Sequence, residues 1–239
     1  MRRVINSIFY DKRDYKLIEI VNSVYNEPKR LGYTGKLLYP FFHPLGIKEL
    51  AESRGLRAAY SIINLMESIK SGDITSRLDA LAGLKDDIVD TVGGPIPKNT
   101  SRVLMQIMKD LVRAKGQPEH QIKLAHNFRI AAFGKPRVIR KLLEHYHLLE
   151  MPEEWNQITF DDHVHDANTS GRKSATHLIM DAWIKGIRRL RVIYYHYIEP
   201  KWALELIEAA RIMEIDLGIG IEFWPLHRDR YISVIWVSR

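Results

Sequence analysis

The chain has 239 residues, 46% hydrophobic and 27% charged, enough for one large core or two smaller ones. It contains no cysteine, which excludes disulfides, thiolate-zinc sites, iron–sulfur clusters and cysteine nucleophiles, so any metal must sit on imidazole and oxygen ligands. The formal charge of +7 is uneven: residues 1–156 hold 25 Lys+Arg against 18 Asp+Glu, whereas residues 157–239 hold 11 of each. No apolar run approaches the ~20 residues that span a bilayer, and the opening MRRVINSIFY is too short in apolar residues for a secretory signal, so a soluble cytoplasmic protein without membrane association is expected.

Residues 1–152 read as a basic, mainly α-helical region. DYKLIEIVNSVYNE carries apolar residues at helical spacing and is stopped by Pro28. The following GYTGKLLYPFFHPLG has turn chemistry with apolar anchors. Helical patterns then dominate, with LRAAYSIINLMESIK, SRLDALAGLKDDIVDTV and, after GGPIPKN, SRVLMQIMKDLVRAKG. Asn99, Thr100 or Ser101 is the expected cap of that last helix. HQIKLAHNFRIAAFG and PRVIRKLLEHYHLLE continue the series.

Beyond Met151-Pro152 the pattern changes to short apolar runs alternating with amphipathic ones. Strands are expected near 157–164, 190–195, 216–222 and 231–237, with helices over SATHLIMDAWIKG and PKWALELIEAARIME. Alternation of this kind is the pattern of a parallel α/β sheet. The expected core includes Ile158, Phe160, Ile179, Val192, Ile193, Leu206, Ile219 and Ile235.

In a parallel sheet, functional groups gather at the carboxyl ends of the strands, where the loops converge. Asp161, His163 and His165 lie at the first such end, His196 at the second and Glu222 at the third. Imidazole and carboxylate are the ligands that zinc, manganese and iron take when thiols are absent. An H-x-H pair in extended chain points both rings to one side, because strand side chains alternate with period two.

This order of D-x-H-x-H, Gly171, a strand-ending His and then G-I-E resembles the PHP family, named for polymerase and histidinol phosphatase, over roughly residues 160–224. The resemblance implies the N-terminal half of a TIM-like β/α barrel, here residues 153–239, and a metal-dependent hydrolase of phosphoester bonds with a di- or trinuclear site. The divalent ions expected are Zn, Mn or Fe, and the expected partner is a phosphorylated substrate. Asp161 and His196 would be the catalytic residues, and His163, His165, His196 and Glu222 the metal ligands. Two positions depart from the pattern: Ser170 stands in place of the aspartate of S-D-G, and Tyr195 in place of the acid of T-D-H. A full domain of this family takes further His and Asp ligands from later strands. A truncated or degenerate relative with an incomplete site is therefore the expectation for a sequence that reaches only the fourth strand.

Two other basic clusters are candidates for anions. His227, Arg228 and Arg230 could meet a phosphate from a hairpin turn. Between Lys98 and Lys141, eleven basic residues meet two acidic ones, and such a run attracts polyanions. Lys109, Arg113, Lys123, Arg129, Arg137 and Arg140 are the candidate nucleic-acid contacts. The alternative function is thus a nucleic-acid or polyanion binding module carrying a degenerate catalytic domain.

Overall fold

The computed structural model describes residues 10–26, 54–67, 73–154 and 159–238. The expected loop GYTGKLLYPFFHPLG and Ile158 lie outside them. The helices are α1 (Lys12–Asn26), α2 (Arg54–Glu67), α3 (Ile74–Leu84), α4 (Pro97–Arg113), α5 (Pro118–Ala131) and α6 (Pro136–His145), followed by α7 (Ala175–Lys185) and α8 (Pro200–Met213). The strands are β1 (Phe160–Val164), β2 (Arg189–Tyr195), β3 (Asp216–Phe223), β4 (Leu226–His227), β5 (Arg230–Tyr231) and β6 (Val234–Ser238). The architecture is mixed α/β with a small, mostly parallel sheet.

Local chemistry sets many of the boundaries. Asp73 caps α3 by accepting from the Ser76 amide at 3.3 Å, and α3 runs on into a π-helical turn over Lys85–Val89. Pro97 occupies the first turn of α4, where its missing N–H costs nothing. The helix therefore starts earlier than the expected cap, and Asn99, Thr100 and Ser101 are buried inside it. Their side chains serve the tertiary structure instead: Asn99 donates to the Met151 carbonyl at 2.6 Å, and the Ser101 hydroxyl donates to the Ile88 carbonyl at 3.0 Å. Ser174 caps α7, and Gly186, at φ +83°, ends it.

The sheet has the order β1-β2-β3-β6. β1 with β2 and β2 with β3 are parallel, joined through α7 and α8 as the alternating pattern requires. The fourth strand differs. β6 returns to β3 antiparallel, pairing Glu222 with Ile235, because the connection carries the short β4–β5 hairpin and no crossover helix. Among the described residues the sheet keeps two edges and no barrel closes. Edge position explains two departures from the expected core: Phe160 on β1 is 62% exposed and Ile235 on β6 is 41% exposed, whereas Ile179, Val192, Ile193 and Leu206 are buried.

One buried apolar cluster runs from Leu17 in α1 through α4 to Trp183 in α7, Val192 in β2 and Met213 in α8. Leu190, Val192 and Tyr194 turn toward this helical layer. Buried polar links cross the same contact. Arg77 of α3 meets Glu205 of α8 through two hydrogen bonds of 2.9 and 2.7 Å, and Lys109 of α4 donates to Asp181 of α7 at 2.6 Å. Fully buried Arg102 donates to the Ile184, Leu149 and Asn99 oxygens, and its burial lowers its pKa to about 10. No helix among the described residues is long and apolar enough to cross a membrane.

Candidate metal site

The site is built at the carboxyl ends of β1, β2 and β3. Paired residues on neighbouring strands point to the same side of a sheet, and Tyr195 pairs with Glu222. Tyr194 faces the helical layer, so Tyr195 and Glu222 face away from it. His163 and His165 bring their rings to this same side, with centroids 5.0 Å apart.

Among the described residues, His163, His165 and Glu222 each offer a ligand atom, all within 4.8 Å of one another. The Nε2 atoms of His163 and His165 are 3.2 Å apart, and the Glu222 Oε2 lies 3.9 Å from His163 Nε2. Two nitrogens bound at about 2.1 Å to one tetrahedral ion would be about 3.4 Å apart, so the imidazole pair already has the bite of a chelate. The His165 Nδ1 lies 2.7 Å from the Ile193 carbonyl. A carbonyl only accepts, so Nδ1 carries a proton, and in the neutral ring that a metal requires Nε2 would present its lone pair to the site. Ser233 fixes the other carboxylate oxygen, donating to Glu222 Oε1 at 2.6 Å. Two imidazoles and a carboxylate form a donor set that could hold a zinc, manganese or iron ion.

A tight turn carries the chain out of β1. The Asp166 carbonyl accepts from the amides of Thr169 and Gly171 at 3.1 and 2.8 Å. Gly171 lies so close to the His165 and Asp166 backbone that a Cβ there would overlap it. This is the physical content of the glycine in the motif. The buried Asp166 carboxylate accepts from the Asn168 amide at 2.9 Å and from the Tyr194 hydroxyl at 2.7 Å. Burial and this neighbouring carboxylate push the Tyr194 phenol well above its usual pKa. Sequence reasoning missed Asp166 and Tyr194, because nothing in the local pattern distinguishes a carboxylate that anchors a turn.

Asp161 and His196 stand apart from the converging group. The β1–β2 register shifts between Asp161 and Val164, and the Asp161 carboxylate accepts from the His163 amide at 3.4 Å. The His165 tautomer is fixed by the Ile193 carbonyl rather than by Asp161. His196 has φ +63°, which turns its side chain out of the strand's alternation, and its ring meets Trp224 edge-on at 5.0 Å. His227, Arg228 and Arg230 are exposed on the β4–β5 hairpin, where Arg228 and Asp229 take the positive φ of a two-residue turn.

The basic run is partly consumed inside the protein. Lys109 is buried against Asp181, and Arg129 bonds the buried Asp14 carboxylate at 2.6 and 3.1 Å; both are corrections to the expected polyanion face. Arg140 pairs with Glu150 at 2.9 Å on the surface. Arg113, Lys123 and Arg137 are exposed. A cavity of about 400 Å³ lies at the opposite, amino end of the sheet, lined by Arg189, Arg191 and Asp216. Its guanidinium groups are paired, Arg189 with Asp216 at 2.9 Å and Arg191 with Asp162 at 3.2 Å, and strand polarity places it away from His163, His165 and Glu222.

Compared with known proteins, the chain matches no family model, and neither the curated proteins nor the solved structures give a significant match.

Proposed function

We propose that the residues from β1 onward form the opening of a PHP-type β/α domain, and that the protein is a metal-dependent hydrolase of phosphoester bonds. The observation carrying this reading is the convergence of His163, His165 and Glu222 at the carboxyl ends of parallel strands. These three would hold one Zn, Mn or Fe ion, with His165 aligned by Ile193 and Glu222 by Ser233. A divalent ion held there would supply a bound water acidic enough to ionise near neutral pH, and charge stabilisation for a phosphoryl oxygen. A di- or trinuclear centre calls for more ligands than these three. The exposed hairpin residues Arg228 and Arg230 would add positive charge on the connection leaving β3.

The test is metal analysis by inductively coupled plasma mass spectrometry after loading with Zn²⁺ or Mn²⁺ and desalting. Wild type is expected to keep about one ion per chain, and His163→Ala/His165→Ala to lose it. Equal, near-zero metal in both would sink the reading. A second reading, binding of nucleic acid through the helical region, is favoured only by the exposed Arg113, Lys123, Arg137 and Arg140. Neutralising four phosphates would give a log K against log salt slope of roughly −4 on duplex DNA, and charge reversal at Arg113, Lys123 and Arg137 should remove most of it. Absence of binding at low salt would eliminate this second reading.

A further inference from the structure

The two positions at which the sequence departs from the motif pattern meet at the site. Ser170 Oγ and the Tyr195 phenol oxygen are 3.2 Å apart, and that phenol oxygen is 3.3 Å from His165 Nε2. The Tyr195 ring is held between His165, at a centroid distance of 4.9 Å, and Trp224, at 5.6 Å. Its backbone is locked in register opposite Glu222. The phenol therefore stays beside the ligand nitrogens.

The ring nitrogens of His165 meet the Ile193 carbonyl on one side and, on the other, His163 Nε2 at 3.2 Å and the Tyr195 phenol oxygen at 3.3 Å. The His165 Nδ1–H is committed to the Ile193 carbonyl, so in the neutral ring Nε2 is an acceptor. In the ion-free protein that lone pair can take the Tyr195 O–H. An ion bound to His165 Nε2 occupies the same lone pair, and the phenol O–H must turn elsewhere. Two kinds of acceptor remain: Ser170 Oγ, or an anionic oxygen of a ligand arriving beside His165. Ser170 is exposed and Tyr195 half-buried, so both are open to a ligand arriving from solvent.

We propose that Tyr195, positioned by Ser170, caps His165 in the ion-free protein and, once the ion is bound, donates its phenol hydrogen to a phosphoryl oxygen of the ligand. The inference rests on the metal reading above and assigns that site a donor specific to oxyanions. It involves no covalent step; one hydrogen bond is exchanged for another. Tyr195 would touch the ligand directly, and Ser170 would act through Tyr195.

The experiment compares full-length wild type, Tyr195→Phe, Ser170→Ala and Ser170→Thr by isothermal titration, first with Zn²⁺ alone and then with inorganic phosphate added to the zinc-loaded protein. Tyr195→Phe should bind Zn²⁺ at least as tightly as wild type, because a competitor for His165 Nε2 is gone, and should bind phosphate roughly tenfold or more weakly, as for a lost hydrogen bond to a charged group. Ser170→Ala should weaken phosphate by a smaller factor, with Ser170→Thr restoring it and zinc affinity unchanged in both. Loss of zinc in Tyr195→Phe would overturn the proposal and make the phenol oxygen a ligand. Unchanged phosphate affinity in Tyr195→Phe would overturn it as well. Failure of wild type to take up zinc would bring down the metal reading and this inference with it, whereas zinc uptake with phosphate binding indifferent to Tyr195 would bring down this inference alone.

Discussion

Replacing Arg77 by methionine tests how α3 is fastened to the crossover helix α8. Arg77 and Glu205 are both buried, with side chains 7% and 2% exposed, and two hydrogen bonds join them across 128 residues of sequence. Glu205 Oε1 also accepts from the Thr176 hydroxyl at 3.3 Å and from its amide at 3.5 Å. These neutral donors do not balance the charge. Removing the guanidinium leaves a carboxylate in the core, and breaking a buried pair from one side costs about 3–5 kcal/mol. Arg77→Met should therefore lose most of that amount in urea denaturation at pH 7, read by far-UV circular dichroism. The double variant Arg77→Met/Glu205→Leu should recover much of the loss, because no charge is then left unpaired. A cost below about 1 kcal/mol for Arg77→Met, within the range of exposed pairs, would refute the reasoning. So would a double variant as unstable as the sum of its two single variants.

Burial lowers the His177 pKa to about 4 despite Asp181 nearby, and neither ring nitrogen has a hydrogen-bond partner among the described residues. The unfolded chain takes up this proton near pH 6.5 and the folded chain does not, so His177 leaves stability unaffected above that pH and lowers it progressively from about pH 6.5 to about pH 4, by an amount on the order of 3 kcal/mol. His177→Leu should flatten the stability profile across that window, and an unchanged slope would refute the assignment. Gly171→Ala would press a methyl group into the backbone of His165 and Asp166. Overpacking of this kind costs about 1–3 kcal/mol, and it should weaken zinc binding because His165 moves. A variant with wild-type stability and zinc affinity would show that the turn yields without disturbing the ligand.

The residues that ended up converging were legible because local geometry alone places them. Period two puts His163 and His165 on one side of an extended chain, and the alternation of strand and helix brings Glu222 to the same sheet end. The residues that fell away did so through features no local pattern carries. Asp161 and His196 are not among the converging ligand atoms: the β1–β2 register shifts between Asp161 and Val164, and His196, at positive φ, has its ring against Trp224. The joining of Ser170 to Tyr195 could not be read either, since a hydrogen bond across 25 residues exists only once β1 and β2 are paired.

Side-chain identity and spacing carried the alternation of strand and helix, the absence of thiol chemistry, and imidazole and carboxylate side chains at three strand ends. Which charges remain available depends on long-range packing. Lys109 and Arg129 belong to the basic run by composition, yet their partners Asp181 and Asp14 are 72 and 115 residues away. Burying those carboxylates without a cation would cost more than the fold could recover. The direction of β6 was likewise settled by pairing, because a short apolar run has the same pattern whether it enters a sheet parallel or antiparallel, and the connecting hairpin admits only the latter.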